Sequence, residues 1–275
     1  MRFINLDQIL NDASEDITLI LEVKNQSLLT KTETQKKTAI ANGNPHWRPM
    51  KEELERLAGR KCWYTESKNP GCLNDLEHFR PKGRVVDKDD NLIHWYWFLA
   101  FNPINYRLSA QIPNRLNNNE VLGETGGKGD NFPLPTGSIH GANLADALAE
   151  NPVLLDPCCE EDTALIEFHP DGRPVLSQEF SHDETAFNRL KQSNLLLNLD
   201  YSTFNEDREA LYNKIRSLIE GRGDRYFNTE NDALEDTKQD LRTLMLPESE
   251  YSKAAECYIR GFRDRVWVES LFFDN

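Results

Sequence analysis

The stretch that decides the fold of this chain is Asp75-Leu76-Glu77-His78-Phe79-Arg80-Pro81-Lys82. It sets one histidine beside a carboxylate, and two asparagines, Asn105 and Asn114, follow within a single short module. A neutral imidazole can take a proton from water, while carboxylate and carboxamide oxygens can hold a hard divalent cation. The spacing predicts a ββα arrangement in which His78 ends the first strand, Asn105 ties the connecting loop and Asn114 faces His78 from a helix.

The residues around this stretch locate the elements of the module. Residues 79–84 and 95–100 are expected to flank a hairpin, and residues 107–117 are expected to form the helix that follows. Between residues 61 and 135, aromatic and β-branched residues alternate with Gly, Pro and Asn. That texture is typical of a small irregular module rather than of a long helix or a regular sheet.

Helical patterns lie on both sides of the module. Residues 1–60 are predicted to be a helical N-terminal region, whose last helix ends at Gly59. Residues 136–275 are predicted to be a mainly helical C-terminal region with short strands at 153–155 and 164–168. The fold class predicted from the sequence is therefore α+β, with a ββα-metal module embedded in a mainly helical protein.

The charge of the chain limits how it can meet nucleic acid. With 32 basic and 46 acidic residues, the net charge is −14 at neutral pH. Affinity for a duplex comes largely from Lys and Arg that displace counterions from phosphates, so a free-standing nucleic-acid binder is disfavoured. Arg80, Lys82 and Arg115 are the candidate phosphate contacts, although exposed basic residues are as often merely solvated. A partner protein is expected to help recruit the substrate.

The five cysteines are odd in number and unevenly spaced, which favours reduced thiols over a disulfide framework. The first residues carry no apolar leader segment, and no stretch of the sequence approaches the length of a membrane span. A cytoplasmic location is the expectation that follows.

Between residues 47 and 208 the chain resembles a known family, the HNH endonucleases, and more closely the PtuB-type anti-phage nucleases of Septu and retron systems, which act beside an ATPase. The resemblance rests on motifs in fixed order rather than on one His-to-Asn spacing. They are Lys61-Cys62-Trp63-Tyr64-Thr65-Glu66, Glu77-His78-Phe79-Arg80-Pro81-Lys82, Trp95-Tyr96-Trp97-Phe98-Leu99-Ala100-Phe101, Asn105-Tyr106-Arg107, Gly127-Lys128-Gly129-Asp130-Asn131-Phe132-Pro133-Leu134 and Asn151-Pro152-Val153-Leu154-Leu155-Asp156-Pro157.

This resemblance implies roles for individual residues. His78 takes the position of the general base, Glu77 and Asn114 those of the metal ligands, and Asn105 an orienting position. The implied cofactor is Mg²⁺ or Mn²⁺, the implied substrate is DNA, and the implied partner is an ATPase like PtuA.

The chain departs from the family where many members carry a structural zinc. The two Cys-x-x-Cys positions read Cys62-Trp63-Tyr64-Thr65 and Ala110-Gln111-Ile112-Pro113, so three of four ligands are missing. One thiolate cannot form a structural zinc site. We therefore expect no structural zinc, and a module braced instead by its aromatic residues Trp63, Tyr64, Trp95, Trp97 and Phe101.

Other interpretations of the same residues remain open. His78 can be a structural histidine, Glu77 can pair with Arg80 and leave Asp75 as the ligand, and Asn114 can be a helix cap. His94 is a further candidate for catalysis, although packing beside Trp95 explains it as well. The whole chain can be a catalytically degenerate binding or scaffold subunit, or a nuclease that acts on RNA or on modified DNA.

Overall fold

The computed structural model describes residues 1–68, 71, 73–87, 89–227 and 232–273, and it is an α+β fold. Four helices precede the first strand: α1 (Leu6–Asp12), α2 (Glu15–Ser27), α3 (Glu33–Ala41) and α4 (Asn44–Ala58). Helix α4 ends at Gly59, whose φ of +80° is a backbone conformation that glycine adopts without strain. The predicted helix end at this residue is confirmed.

The strands of the described residues form four two-stranded antiparallel sheets. They are β1 (Asp75–His78) with β4 (Tyr106–Ser109), β2 (Val85–Val86) with β3 (Leu92–His94), β5 (Asn117–Asn119) with β6 (Glu124–Gly126), and β7 (Ile166–Phe168) with β8 (Pro174–Leu176). Short helices lie between them: α5 (Gln111–Asn114), α6 (Leu144–Leu148) and α7 (Glu160–Ala164).

The C-terminal part is mainly helical, as the sequence predicts. It contains α8 (Glu184–Leu196), α9 (Ser202–Arg216), which continues as a π-helix over Ser217–Gly223 into α10 (Asp224–Tyr226), then α11 (Asp232–Met245), α12 (Ser252–Arg260) and α13 (Val266–Glu269). Among the described residues, no helix is both long enough and apolar enough to cross a membrane.

Several local predictions were wrong. Residues 79–84 and 95–100 lie on either side of the hairpin formed by β2 and β3 but contribute no strand to it, and residues 97–99 form a 3-10 turn. Of residues 107–117, only Gln111–Asn114 are helical. Residues 153 and 154 form a bend rather than a strand. The strand predicted at 164–168 is confirmed over Ile166–Phe168, whereas Ala164 closes α7.

The hydrophobic core lies in two clusters, and Trp97 packs against both of them. One cluster joins helices α1 to α4 to the central module, through Trp47, Met50, Trp63, Phe101 and Tyr106. The other extends from the central module through the C-terminal helices. The core is thus shared across residue 60, where the sequence predicts a domain boundary. This sharing places α3 and α4 against the residues that carry the candidate chemistry.

Candidate functional site

Strand β1 fixes the positions of Glu77 and His78. In its antiparallel pairing with β4, Glu77 lies opposite Arg107 and His78 lies opposite Tyr106. Because successive side chains of a strand project to opposite faces, the His78 side chain shares a face with Leu76, and Glu77 shares the other with Asp75. The predicted placement of His78 at the end of a strand is confirmed.

His78 is held in one tautomer by its neighbours. Its Nε2 lies 2.9 Å from the carbonyl oxygen of Ala100, which can only accept, so Nε2 must carry the proton. The ring packs edge-on against Trp47 and Tyr106, and the residue is buried. Burial, together with the ammonium groups of Lys82 and Lys128, lowers the pKa of His78 well below its ordinary value. At neutral pH the ring is therefore uncharged, and Nδ1 is its basic atom.

Lys82 lies beside that basic atom. Its Nζ is 3.3 Å from Nδ1 of His78, and within the described part of the chain Lys82 forms no ion pair. Burial lowers the pKa of Lys82, although the Glu77 carboxylate opposes this shift. Lys82 also lies 5.2 Å from the ring centre of Trp47, in a cation–π contact. An ammonium group without a carboxylate partner is suited to meet an anionic ligand.

Both residues line a cavity of about 380 Å³, which we call the His78 cavity. Its walls come from α3, α4, β1, the segment after β1, α5 and the loop around Lys128. The lining residues are Lys37, Ile40, Ala41, Trp47, Leu76, Glu77, His78, Pro81, Lys82, Gly83, Trp95, Asn114, Lys128, Gly129 and Asp130. The structure thus gathers His78, Glu77, Lys82 and Asn114 of the predicted site around one cavity.

Glu77 is buried between a phenol and an ammonium group. Its Oε2 accepts a hydrogen bond of 2.8 Å from the Tyr64 hydroxyl, and its Oε1 lies 2.5 Å from Nζ of Lys128. The contact with Lys128 is an ion pair without hydrogen-bond geometry, so Oε1 has no hydrogen-bond donor. Lys128 Nζ donates to the carbonyl oxygen of His78 instead, at 3.1 Å. One interpretation of the sequence paired Glu77 with Arg80, and the structure does not show this pair.

Asn114 and Arg115 converge on Asp75. Nδ2 of Asn114 donates to Asp75 Oδ2 at 3.0 Å, and the Arg115 guanidinium reaches the same carboxylate at 3.1 Å. Arg115 is exposed and follows the cavity-lining Asn114 in the chain, whereas Asn114 is half-buried. Asn114 ends α5 rather than starting it, so it is not an N-terminal cap.

Asn105 acts on the segment after β1 rather than in the cavity. Its Oδ1 accepts from the backbone N–H of Arg80 at 2.8 Å, and its Nδ2 donates to the Arg80 carbonyl oxygen at 2.9 Å. Its own carbonyl oxygen accepts from the N–H of Phe79. The side chain is buried and fixes the backbone between His78 and Lys82. Asn105 is a positioning residue.

Arg80 and His94 lie away from the cavity lining. The Arg80 guanidinium is buried in an ion pair with Glu150 at 2.7 Å and donates to the Ala147 carbonyl oxygen, so its predicted contact with a phosphate does not fit this placement. The His94 ring stacks on His140 at a centroid distance of 5.2 Å and packs edge-on against Tyr96. His94 is therefore a packing residue here, held by Tyr96 rather than by its neighbour Trp95.

Sequence reasoning missed Lys128 and Trp47 as parts of the site. Lys128 stands between two glycines with positive φ, +99° at Gly127 and +50° at Gly129. A Cβ at Gly127 would lie 1.9 Å from the carbonyl oxygen of Arg115, so only glycine fits there. The N–H groups of Lys128 and Gly129 donate to carbonyl oxygens of residues 113 and 114. The sequence Gly-Lys-Gly could have indicated this site, because a lysine between two glycines is typical of a segment whose backbone packs closely against another segment.

The donor set at the cavity fits a hard divalent cation in chemical type. Glu77 Oε1 is a buried carboxylate oxygen that contacts the Lys128 ammonium at 2.5 Å, and Asn114 supplies a carboxamide beside the same cavity. Mg²⁺ commonly uses one or two carboxylates and keeps several waters, so a larger cluster is not required. The described residues contain no group of three or more His, Cys, Asp or Glu arranged for a metal. Lys128 places a competing positive charge on the same Glu77 oxygen.

Comparisons with known proteins add no assignment, since no family model, no curated protein and no solved structure matches this chain. The resemblance to HNH nucleases therefore stays a prediction, and the geometry of the site is what supports or weakens it.

Proposed function

We propose that this chain is an HNH-type endonuclease that hydrolyses phosphodiester bonds of DNA, with His78 as its general base. The observation that carries the proposal is the state of His78: the Ala100 carbonyl fixes the proton on Nε2, and Nδ1 lies next to Lys82 at a cavity. A base that is neutral at neutral pH and locked in orientation can take a proton from water.

The neighbouring residues supply the rest of the proposed mechanism. Lys82 binds a phosphate oxygen and stabilises the negative charge that develops as water attacks. Asn105 holds the backbone between His78 and Lys82, so that base and ammonium keep their separation. Arg115, which is exposed, contacts an adjacent phosphate. Each of these roles uses a side chain whose position is fixed by a contact described above.

Glu77 and Asn114 would hold the proposed Mg²⁺ or Mn²⁺, with Asp75 as a further oxygen donor. Such an ion, when bound, neutralises charge on the phosphate and on the leaving oxygen. Variants Glu77→Ala and Asn114→Ala should therefore lose cleavage in a way that higher Mg²⁺ or Mn²⁺ partly restores. His78→Ala should not be restored by metal, because it removes the base.

The deciding experiment is plasmid nicking by purified protein in the presence of Mg²⁺ or Mn²⁺. His78→Ala should lower the rate by at least about a hundredfold, since removal of a general base costs on the order of 10²–10⁴ in rate. His182→Ala, at an exposed histidine on the surface, is the matched control and should cleave like the wild type. Undiminished cleavage by His78→Ala, in preparations freed of contaminating nuclease, would remove the assignment.

A second candidate function is a catalytically degenerate HNH-type subunit that binds or scaffolds. The observation that favours it is the neutralisation of both carboxylates at the site, Glu77 by Lys128 and Asp75 by Arg115. This function predicts the absence of metal-dependent nicking under every condition in which the protein stays folded and bound to its partner. Nicking that depends on His78 would exclude it.

We also propose that the chain works with an ATPase in anti-phage defence. The support is the resemblance and the charge of −14, which leaves the nuclease little electrostatic reach toward DNA on its own. Co-expression with an ATPase like PtuA, followed by size-exclusion chromatography, should give one complex. Two separate peaks, together with tight and salt-insensitive DNA binding by the nuclease alone, would show that it works without that partner.

A further inference from the structure

The His78 cavity is walled by aromatic and basic side chains that the proposed chemistry does not use. Helix α3 contributes Lys37 and Ile40, α4 contributes Trp47, and the segment after β3 contributes Trp95. Lys37 lies 5.6 Å from the ring centre of Trp95, and Lys82 lies 5.2 Å from that of Trp47. The half-buried Trp95 ring is held in position by a hydrogen bond, in which its Nε1 donates to the Lys82 carbonyl oxygen at 2.5 Å.

Charge in the cavity favours an anionic occupant. The acidic lining residues are Glu77 and Asp130, and each is paired with a cation, Lys128 and Arg84 respectively. Lys37 is paired with Glu33 on the exposed side of α3. Lys82 makes no ion pair among the described residues, so it supplies the uncompensated positive charge.

The shape of the site limits which nucleic acid can enter. A duplex presents its backbone on the outside of a helix far wider than a cavity of about 380 Å³, and α3 and α4 stand over the side of β1 that carries His78. An unpaired nucleotide fits such a space, with its base against an aromatic ring and its phosphate on an ammonium group. This combination of stacking surface and positive charge is the general way in which proteins bind single strands.

We infer that the His78 cavity receives an unpaired nucleotide, with its base on Trp95 and its phosphate on Lys82, so that the substrate strand is single-stranded or locally opened where it is cut. This inference rests on the proposed nuclease function and names its substrate class. Deoxyribonucleotides and ribonucleotides share the required chemistry, and the experiment separates them.

The test measures binding without cleavage. Fluorescence anisotropy in EDTA compares a short labelled DNA strand, its duplex and an RNA strand of the same sequence on the full chain. The single strand should bind at least about tenfold more tightly than the duplex, and Trp95→Ala should weaken it about 5- to 150-fold, the range that base stacking on an aromatic ring gives. Trp95→Phe keeps a stacking ring and should retain most of the affinity. Phe187→Ala removes an exposed aromatic ring from α8 and is the control that should change nothing.

A strand that carries 2-aminopurine reports stacking itself. Its fluorescence should be quenched by the wild type and by Trp95→Phe, but not by Trp95→Ala. Duplex binding as tight as single-strand binding, or equal quenching by Trp95→Ala, would overturn the inference. Tight RNA binding with weak DNA binding would keep the unpaired-nucleotide site and replace DNA as the substrate. Loss of nicking in His78→Ala alongside equal binding of duplex and single strand would sink this inference and leave the nuclease proposal intact.

Discussion

The burial of His78 predicts how the stability of the fold depends on pH. The ring is enclosed by Trp47 and Tyr106, its Nε2 donates to Ala100, and Lys82 lies at its other nitrogen, so the folded state disfavours a second proton. Its pKa is lowered from 6.5 by desolvation first and by Lys82 second. In the unfolded chain the same histidine titrates near its ordinary value. Below about pH 6.5 the unfolded state therefore binds more protons than the folded state.

The sign and size of the effect follow from this difference. The free energy of unfolding should rise with pH through the window below about 6.5 and then level off above it. Between pH 7.5 and pH 5.5, protonation of the unfolded histidine removes up to about 1.4 kcal/mol, from RT ln(1 + 10) at one pH unit below an ordinary pKa near 6.5. This amount is the upper limit, and the effect approaches it because burial lowers the folded pKa of His78 well below 6.5.

The assay is urea denaturation at the two pH values for the wild type, His78→Gln and His182→Gln. His78→Gln should show a difference smaller than that of the wild type by up to about 1.4 kcal/mol. The part that remains comes from other groups, among them His46, His94 and His140, whose pKa values burial also lowers. The comparison is made within each protein, so the stability of the variant itself does not enter. His182→Gln, at an exposed histidine, should retain the wild-type difference. An unchanged difference in His78→Gln would mean that His78 binds a second proton as readily in the folded state as in the unfolded state, and the argument for a neutral base would then fail.

Three further predictions follow from other contacts at the site. Lys128→Met leaves the Glu77 carboxylate buried without its cation and should lower the free energy of unfolding by about 3–5 kcal/mol in a denaturant titration. The double variant Lys128→Met with Glu77→Gln should recover much of that loss. If the losses of the two single variants simply added up in the double variant, the two side chains would not be a coupled pair. Asn105→Ala leaves the N–H and carbonyl groups of Arg80 without partners and should lower the free energy of unfolding by about 1–3 kcal/mol in the same assay. Nicking should also fall, and added metal should not restore it. Nicking that metal does restore would instead place Asn105 at the ion. Elemental analysis should find well under one zinc per chain, and a chelator should abolish nicking with little change in melting temperature. A stoichiometric zinc whose removal unfolds the protein would show that Cys62 binds zinc together with other ligands. Cys72, the first ligand to test, lies outside the described residues.

Local signals explain which parts of the fold were predictable. The helix that ends at Gly59 was found because its end depends on one residue with positive φ. The turn between β7 and β8 is likewise local, because Gly172 has a φ of +82° and its N–H donates to the His169 carbonyl oxygen. Each of these features is determined within a few residues, so the sequence pattern carries it.

The pairing of β1 with β4 was not predictable from local patterns. His78, the last residue of β1, and Asn105, which precedes β4, are 27 residues apart in the sequence. The segment between them contains its own small hairpin, β2 with β3. Residues 79–84 stay outside any ladder because Pro81 lacks an N–H group and the backbone groups of Arg80 are bonded to the Asn105 side chain. The position of Lys128 depends on a loop whose backbone bonds to α5. The periodicity of the sequence cannot predict such a contact between distant segments.

The part of the module where the resemblance places zinc ligands is closed by packing and hydrogen bonds. A hydrogen bond of 2.8 Å from the N–H of Trp63 to the Leu108 carbonyl brings residues 62–65 next to the strand that leads into residues 110–113. Cys62 is buried there, and its carbonyl accepts from the N–H of Glu66 to close a tight turn. Trp63 and Tyr64 are almost fully buried on opposite core clusters, so each side of the turn is anchored in apolar surface. Burial of two such aromatic side chains stabilises the module by several kcal/mol. Since Tyr64 also donates to Glu77, the same packing that closes the turn fixes the carboxylate at the His78 cavity.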